Sequence, residues 1–209
     1  MACGAGSRSA RGEFSEAGVS GASSDPGLDV LRIMRVLDHH GVEYLLVGGA
    51  AAVIHGAERQ TQDFDCVAQS SRENLHRLAL AMRELNARLH VEGLTDAEAS
   101  TLPLALDAAM LARMEISTWR TDAGDLDILA DIPDRHGQHM RFEELIQRAD
   151  SAVVGGLVVR VASLDDIIGS KVWADRPKDR EALPELQRLH AAQDSDPGSR
   201  PPEPIPPAR

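Results

Sequence analysis

The chain has 209 residues, of which 43% are hydrophobic, and this is enough apolar material for one buried core. Its net charge of −11 argues against a broadly basic surface that follows a nucleic-acid backbone, so any nucleic acid must meet a local patch, and the charge somewhat favours a cationic small substrate. No apolar run is long enough to span a bilayer, and the N-terminus lacks the apolar region of a secretory signal, so we expect a cytoplasmic protein with no membrane partner.

Both ends of the chain have compositions typical of disorder. Residues 1–26 are rich in Gly, Ala and Ser, and residues 193–209 are rich in Pro, Asp and Ser, so neither segment can bury enough apolar surface to order itself. We therefore expect one folded domain over residues 27–192. Cys66 is predicted to be a small core residue, and the two cysteines of the chain do not suggest a disulfide framework.

The folded region begins with a predicted helix over residues 29–40, in which the apolar residues have helical spacing. An apolar strand over residues 42–47, a turn at Gly48-Gly49 and a short helix over residues 50–55 follow. The first amides of a helix are unpaired and its dipole favours an anion, so the turn is a candidate phosphate site. A Gly-Gly pair after a strand is by itself only a common turn.

The next predicted strand carries Asp63 and Asp65, which are two residues apart and therefore project from the same face. Two neighbouring carboxylates repel each other unless a cation lies between them. Carboxylate oxygens suit Mg²⁺ or Mn²⁺, so this pair is a candidate metal site. A lone Asp-x-Asp pair is otherwise a solvated strand end.

The middle of the chain contains a predicted helix from a cap at residues 70–71 to about Leu89. Four arginines lie off its apolar stripe and are predicted to form a solvated face, with contacts to RNA phosphate as the alternative: Arg72, Arg77, Arg83 and Arg88. Residues 92–112 favour a helix that is interrupted near Pro103. A strand over residues 113–121 then turns into an alternating strand over residues 124–129; Trp119 on the first is predicted to be a core or edge residue.

The last third begins with a polar loop over residues 134–140, whose two histidines are too few for a zinc site. A short helix over residues 142–149 and a hairpin over residues 152–161 follow. Ser163 is predicted to cap a helix that carries Lys171. Arg176-Pro177 marks a break and the start of the final helix, which runs to about residue 190.

The arrangement Gly48-Gly49…Thr61-x-Asp63-x-Asp65 resembles the signature of the polymerase-beta-type nucleotidyltransferase superfamily. The resemblance implies an α/β (or α+β) fold, with a short mixed sheet flanked by helices and a helical C-terminal segment. It also implies a third carboxylate from a later strand. Asp127 is favoured because Ile128-Leu129 follow it, whereas Asp125 can cap the preceding turn. Asp63, Asp65 and Asp127 would then hold Mg²⁺ (or Mn²⁺), with an NTP as substrate.

A second segment, which contains Lys171 and ends in Arg176-x-Lys178-Asp179, resembles the C-terminal part of AbiEii/MenT-type nucleotidyltransferases, the toxins of toxin–antitoxin pairs. The resemblance implies that Lys171 and Arg176, together with Gly48-Gly49, bind the triphosphate, and that Asp179 orients Lys171 or Arg176. Without the resemblance, the segment is an ordinary pair of charged helices.

The same resemblance implies transfer of a nucleotide to the 3′ end of tRNA, which blocks aminoacylation and translation. The partners would be the tRNA acceptor end, the NTP and a cognate antitoxin, and in some relatives the antitoxin phosphorylates a Ser or Thr at the position of Thr61. Otherwise Thr61 packs or caps a turn. One alternative is a nucleotidyltransferase that modifies a small hydroxyl compound such as an aminoglycoside or lincosamide. Another is a binding protein without activity, which the set of clustered acids disfavours.

Overall fold

The computed structural model describes residues 27–99, 101–102 and 104–195. The N-terminal tail predicted to be disordered lies outside these residues, as does most of the predicted C-terminal tail. Residues 193–195 are an exception, because they form the end of the last helix.

Nine strands are present among the described residues, and seven of them form one mixed sheet. In chain order they are β1 (Tyr44–Leu46), β2 (Asp63–Ala68), β3 (Arg88–Leu89), β4 (Ile116–Thr121), β5 (Gly124–Leu129), β6 (Asp131–Pro133), β7 (His139–Arg141), β8 (Asp150–Val154) and β9 (Leu157–Val161). The order across the large sheet is β3-β4-β5-β2-β1-β9-β8, and β6 pairs with β7 separately. The β2–β5 and β1–β9 pairs are parallel, whereas the other neighbours in the sheet are antiparallel.

Helices flank this sheet and also end the described chain. They are α1 (Val30–His39), α2 (Gly48–Ile54), α3 (Arg72–Glu84), α4 (Asp96–Ala99), α5 (Ala108–Leu111), α6 (Phe142–Leu145), α7 (Leu164–Ala174) and α8 (Pro177–Ser195), with a 3-10 turn at Ile146–Arg148. The predicted mixed α/β fold with a helical C-terminal segment is therefore confirmed. None of the described helices combines the length and the apolar character that crossing a membrane requires.

The core between sheet and helices consists mainly of aliphatic side chains, as the low aromatic content of 3% requires. Cys66 is fully buried there, as predicted. Trp119 is also a core residue, because only 2% of its surface is exposed and its Nε1 donates a hydrogen bond to Ser117 Oγ. The largest fully buried side chains include Phe64, Ile33, Met34, Leu37, Leu45, Leu46, Leu78 and Leu126.

Several predicted boundaries are wrong. The helix expected to reach Leu89 ends at Glu84, because Asn86 adopts a left-handed conformation (φ 52°) and the chain continues into β3. Residues 92–112 form two four-residue helices in place of an interrupted long one. The loop predicted over residues 134–140 contains part of the β6–β7 hairpin. At β3 and at the β6–β7 hairpin, strand pairing overrides the local pattern.

The C-terminal helices agree more closely with the sequence. Ser163 caps α7, since its hydroxyl accepts a hydrogen bond from the backbone N–H of Asp166. Asp175 (φ 46°) ends α7, and Pro177 begins α8. Helix α7 packs against both α2 and α8, so the C-terminal helices meet a segment that lies more than a hundred residues earlier in the chain.

Candidate active site

Three carboxylates meet on the neighbouring parallel strands β2 and β5. Their register places Asp65 beside Asp127 and Asp63 beside Asp125. One oxygen each from Asp63, Asp65 and Asp127 lies within 4.8 Å of the others. Asp125 is outside this group, so the structure favours Asp127 over Asp125 as the third carboxylate.

Negative charge on the three carboxylates of this triad is unfavourable in the absence of a cation. Burial raises the pKa of Asp65 to about 7, and the charges of Asp63 and Asp127 add to the effect. Burial also raises the pKa of Asp127, although a hydrogen bond from Thr118 acts in the opposite direction. Oδ1 of Asp127 is buried and has no hydrogen-bond partner among the described residues. An orphaned carboxylate oxygen among three acids fits a hard divalent cation.

The two glycines of the turn lie within the first turn of α2, not before it as predicted. Gly48 has φ 63°, and a Cβ there would collide with the carboxylate of Asp65. A Cβ on Gly49 would lie 2.5 Å from Thr61 Oγ1, and the Gly49 N–H donates to Asp65 Oδ2 at 3.4 Å. The close approach of α2 to the carboxylates therefore requires residues without side chains.

Thr61 lies in the loop before β2, with its side chain half-buried against the carboxylates. Its hydroxyl donates to the backbone carbonyl of Asp63 at 2.9 Å and lies 3.3 Å from Asp63 Oδ1. Thr61 lies outside the strand, because β2 begins only at Asp63. The hydroxyl nevertheless contacts the carboxylate, because the loop folds back over α2.

A buried ion-pair cluster joins α7 to α8 beside the triad. Asp179 is 0% exposed and accepts hydrogen bonds from Lys171 Nζ (3.1 Å) and Arg176 Nε (2.6 Å). Burial raises the pKa of Asp179, but the hydrogen bonds from Arg176 and Lys171 outweigh this effect and hold the pKa below its usual value. Both cations are thereby held in fixed positions.

One cavity of about 370 Å³ connects the triad to these cations. Of the sequence-predicted site residues, it is lined by Gly48, Gly49, Thr61, Asp63, Asp65, Asp127, Lys171 and Arg176, whereas Asp179 lies behind the last two. The lining also includes residues that the sequence analysis did not assign to the site, among them Arg59, Lys178 and Glu185. A sequence signal existed for Lys178, because it lies within the second resembling segment.

Comparison with known proteins agrees with this geometry. The sequence model of one family, described as nucleotidyl transferase AbiEii toxin of a type IV toxin–antitoxin system, matches residues 29–183. The chain belongs to the AbiEii family of nucleotidyltransferase toxins. The family predicted from the two motifs is thus confirmed, and membership of a toxin–antitoxin family implies an antitoxin and a nucleotide substrate. A search of curated protein sequences gives no match.

A solved nucleotidyltransferase structure shares the fold of this AbiEii-family chain. The lincosamide antibiotic adenylyltransferase LnuA, solved with lincomycin bound, superposes with a TM-score of 0.52 at 13% identity, covering 78% of this chain and 99% of its own. ANT(2″)-Ia in complex with adenylyl-2″-tobramycin has a TM-score of 0.46 at 17% identity, covering 81% and 97%. At these identities, the likeness to LnuA shows the fold alone.

Proposed function

We propose that this chain is a metal-dependent nucleotidyltransferase toxin that transfers nucleotides from an NTP to the 3′ end of tRNA. Blocking that end prevents aminoacylation and therefore translation. Because translation takes place in the cytoplasm, the proposal includes a cytoplasmic location. The observation that carries the proposal is the cavity in which the triad of Asp63, Asp65 and Asp127 faces the cations Lys171 and Arg176. Acids for a metal and cations for a triphosphate are the two groups that nucleotidyl transfer needs.

The triad would hold Mg²⁺ or Mn²⁺, with the buried, unpartnered oxygen of Asp127 among its ligands. A bound ion of this kind stabilises charge on both the attacking and the leaving oxygens of the transfer. Gly48 and Gly49 line the cavity beside the carboxylates, and their lack of side chains lets the start of α2 approach Asp65 and Thr61 closely.

In the proposed reaction an acceptor hydroxyl attacks the α-phosphorus of the NTP. A new P–O bond forms to the acceptor oxygen while its O–H bond breaks and the proton passes to water. The bond from the α-phosphorus to the oxygen that bridges the α- and β-phosphates breaks, and pyrophosphate leaves. Lys171 and Arg176 neutralise the charge that develops on the leaving group. Because Asp179 already holds both side chains in place, little reorganisation is needed during the reaction.

The acidic character of the chain is consistent with an acceptor that enters only by its end. A net charge of −11 disfavours wide contact with a folded RNA, but a single-stranded 3′ end is narrow enough to enter the cavity alone. Arg59, Arg176 and Lys178 line the cavity wall, so cations are present at the site although the chain as a whole is acidic.

The first experiment is transfer of each radiolabelled NTP to total tRNA with Mg²⁺, using the wild type and Asp63→Ala. Label in tRNA with the wild type alone supports the proposal and identifies the nucleotide. Parallel reactions with aminoglycosides and lincosamides test the alternative acceptors: label there and none in tRNA would overturn the tRNA assignment while keeping the chemistry. A wild type without Mg²⁺-dependent NTP binding would overturn the enzymatic function as a whole.

We also propose that the cognate antitoxin, acting as a kinase, phosphorylates Thr61. Its hydroxyl lies 3.3 Å from Asp63 Oδ1, so a phosphate there would place negative charge against the triad. We expect Thr61→Glu to weaken Mn²⁺ binding and to lower transfer at least about tenfold, whereas Thr61→Ser keeps both. Thr101→Glu, on an exposed residue, is the matched control. Unchanged Mn²⁺ affinity in Thr61→Glu would contradict this mechanism of regulation.

A further inference from the structure

Lysine is rare in this chain, and its placement is uneven. The chain has 22 lysines and arginines, but only Lys171 and Lys178 are lysines. Both line the candidate active-site cavity. Arginine thus supplies every basic charge outside the site, while the compact ammonium group with its flexible stem occurs only inside it.

The two lysines differ in their partners. Lys171 has a side chain that is 17% exposed and donates to the buried Asp179. Lys178 lies in the first turn of α8, is exposed, and forms no hydrogen bond or ion pair with any described residue. Its charge acts on the triad, since it lowers the pKa of both Asp65 and Asp127. Lys178 is therefore an exposed cation of the cavity wall that no described carboxylate already engages.

The other cations of the cavity are already engaged. Lys171 and Arg176 share Asp179, so this cluster carries a single net positive charge. Arg59 lies 3.6 Å from a carboxylate oxygen of Glu181 and 3.7 Å from one of Glu185, and it donates to the backbone carbonyl of Glu181. A triphosphate entering this cavity meets more negative charge than these cations neutralise.

We propose that Lys178 is a further substrate-binding residue, whose ammonium group binds the triphosphate of the incoming nucleotide. This inference rests on the nucleotide-binding part of the proposed function and is independent of the acceptor. Lys178 moves onto the phosphates when the nucleotide binds, whereas Lys171 and Arg176 stay with Asp179. The positive charge of Lys178 adds to that of the Lys171–Arg176–Asp179 cluster and offsets the repulsion between the nucleotide and the triad.

Amine labelling tests the proposal directly, because the 209-residue chain has only two lysines, Lys171 and Lys178, besides its terminal amine. We expect an acylating reagent to modify Lys178 quickly and Lys171 slowly, as their exposure and partners require. Saturating NTP with Mg²⁺ should slow modification of Lys178 at least about fivefold, since the amine becomes occupied by phosphate. The N-terminal amine is the internal control. Equal labelling of Lys178 with and without nucleotide would overturn the proposal.

Equilibrium binding of an NTP in the presence of Mg²⁺, without any acceptor, gives the second test. Lys178→Met should weaken binding about tenfold, and Lys178→Arg should recover part of the loss. Arg188→Met is the matched control, because it removes an exposed cation from the same helix outside the cavity. Equal losses in Lys178→Met and Arg188→Met would show only a general charge effect and would overturn the assignment.

The outcomes also separate this inference from the proposed function. A wild type that binds no NTP with Mg²⁺ refutes the proposed function. A wild type that binds NTP, with a Lys178→Met variant of unchanged affinity, refutes only the role of Lys178. An unchanged NTP affinity with an increased KM for tRNA would assign the ammonium group to the phosphates of the acceptor instead.

Discussion

At the scale of single residues, Asp65 is a buried carboxyl whose negative charge destabilises the metal-free fold. Its pKa is raised to about 7 by burial and by two neighbouring acids. A carboxyl whose pKa is higher in the folded than in the unfolded state contributes stability below about pH 4, and this contribution is lost as the pH rises through about 7. The metal-free protein is therefore weakened at neutral pH by its own site.

We predict that Asp65→Asn stabilises the metal-free protein at pH 8 and abolishes metal binding. The gain in the free energy of unfolding should be a few kcal/mol, since each unit of pKa shift corresponds to about 1.4 kcal/mol. Urea unfolding with a chelator, at pH 5 and at pH 8, measures it. Glu92→Gln, at an exposed carboxylate, is the control and should change little at either pH. A variant that is no more stable than the wild type at pH 8 would contradict the raised pKa.

Gly49 supports a second prediction at this scale. A Cβ on Gly49 would lie 2.5 Å from Thr61 Oγ1 and 3.0 Å from Thr61 Cβ, so Gly49→Ala forces the loop away from α2. We expect a loss of about 1–3 kcal/mol of stability, together with loss of transfer. Gly49→Ala combined with Thr61→Ala should recover part of the stability. Gly27→Ala, where a new Cβ meets nothing within 4 Å, is the control for the added methyl group.

At the scale of elements, Asp179 couples α7 to α8. Its two ion pairs connect Lys171 on α7 to Arg176 at the entry to α8, and its own side chain is fully buried. Because its pKa is lowered in the folded state, the resulting stability is present above about pH 4 and is lost as the pH falls through the folded-state pKa.

We predict that Asp179→Asn lowers stability at pH 7 by about 1.5–3 kcal/mol and lowers transfer more strongly than it lowers folded content. The loss of stability should shrink at pH 3, because the carboxyl of the unfolded wild-type chain, with a pKa of about 4, is then largely protonated. Asp175→Asn breaks an exposed pair with Arg180 and should cost less than about 1 kcal/mol. Thermal unfolding at both pH values measures the difference. Equal losses of stability in Asp179→Asn and Asp175→Asn would contradict the claim that burial makes the Asp179 ion pairs the stronger ones.

Element boundaries also show where the local sequence was sufficient to predict the start or end of a helix or strand. The capped starts at Ser71 and Ser163 and the break at Pro177 follow from side chains that act within one turn, and these agree with the structure. The strand β3 did not follow from any local pattern. It exists because Arg88 and Leu89 pair with β4, a contact about thirty residues away in sequence.

At the scale of the whole molecule, the net charge of −11 limits how an RNA acceptor can bind. If the acceptor enters by its 3′ end alone, about three of its phosphates meet cations, and the dependence of tRNA affinity on salt should be weak. We predict a slope of about −2 for log affinity against log salt, since each single-strand phosphate contact contributes about −0.7. Filter binding over a range of salt concentrations measures the slope. A slope steeper than about −5 would reveal a broad basic surface and contradict entry by the 3′ end alone.

The sequence by itself determined the family and the mixed α/β fold, and it predicted the chemical type of the site. Gly48-Gly49, Asp63, Asp65 and the Lys171 segment are local patterns whose residue types and spacing are tied to metal and phosphate chemistry. Only the tertiary structure decided which residues meet. The parallel pairing of β2 with β5 brings Asp127, and not Asp125, to Asp65. The packing of α7 and α8 leaves Lys178 as an exposed cation of the cavity wall. Contacts of this kind join distant segments through burial and register, and local patterns carry no information on either.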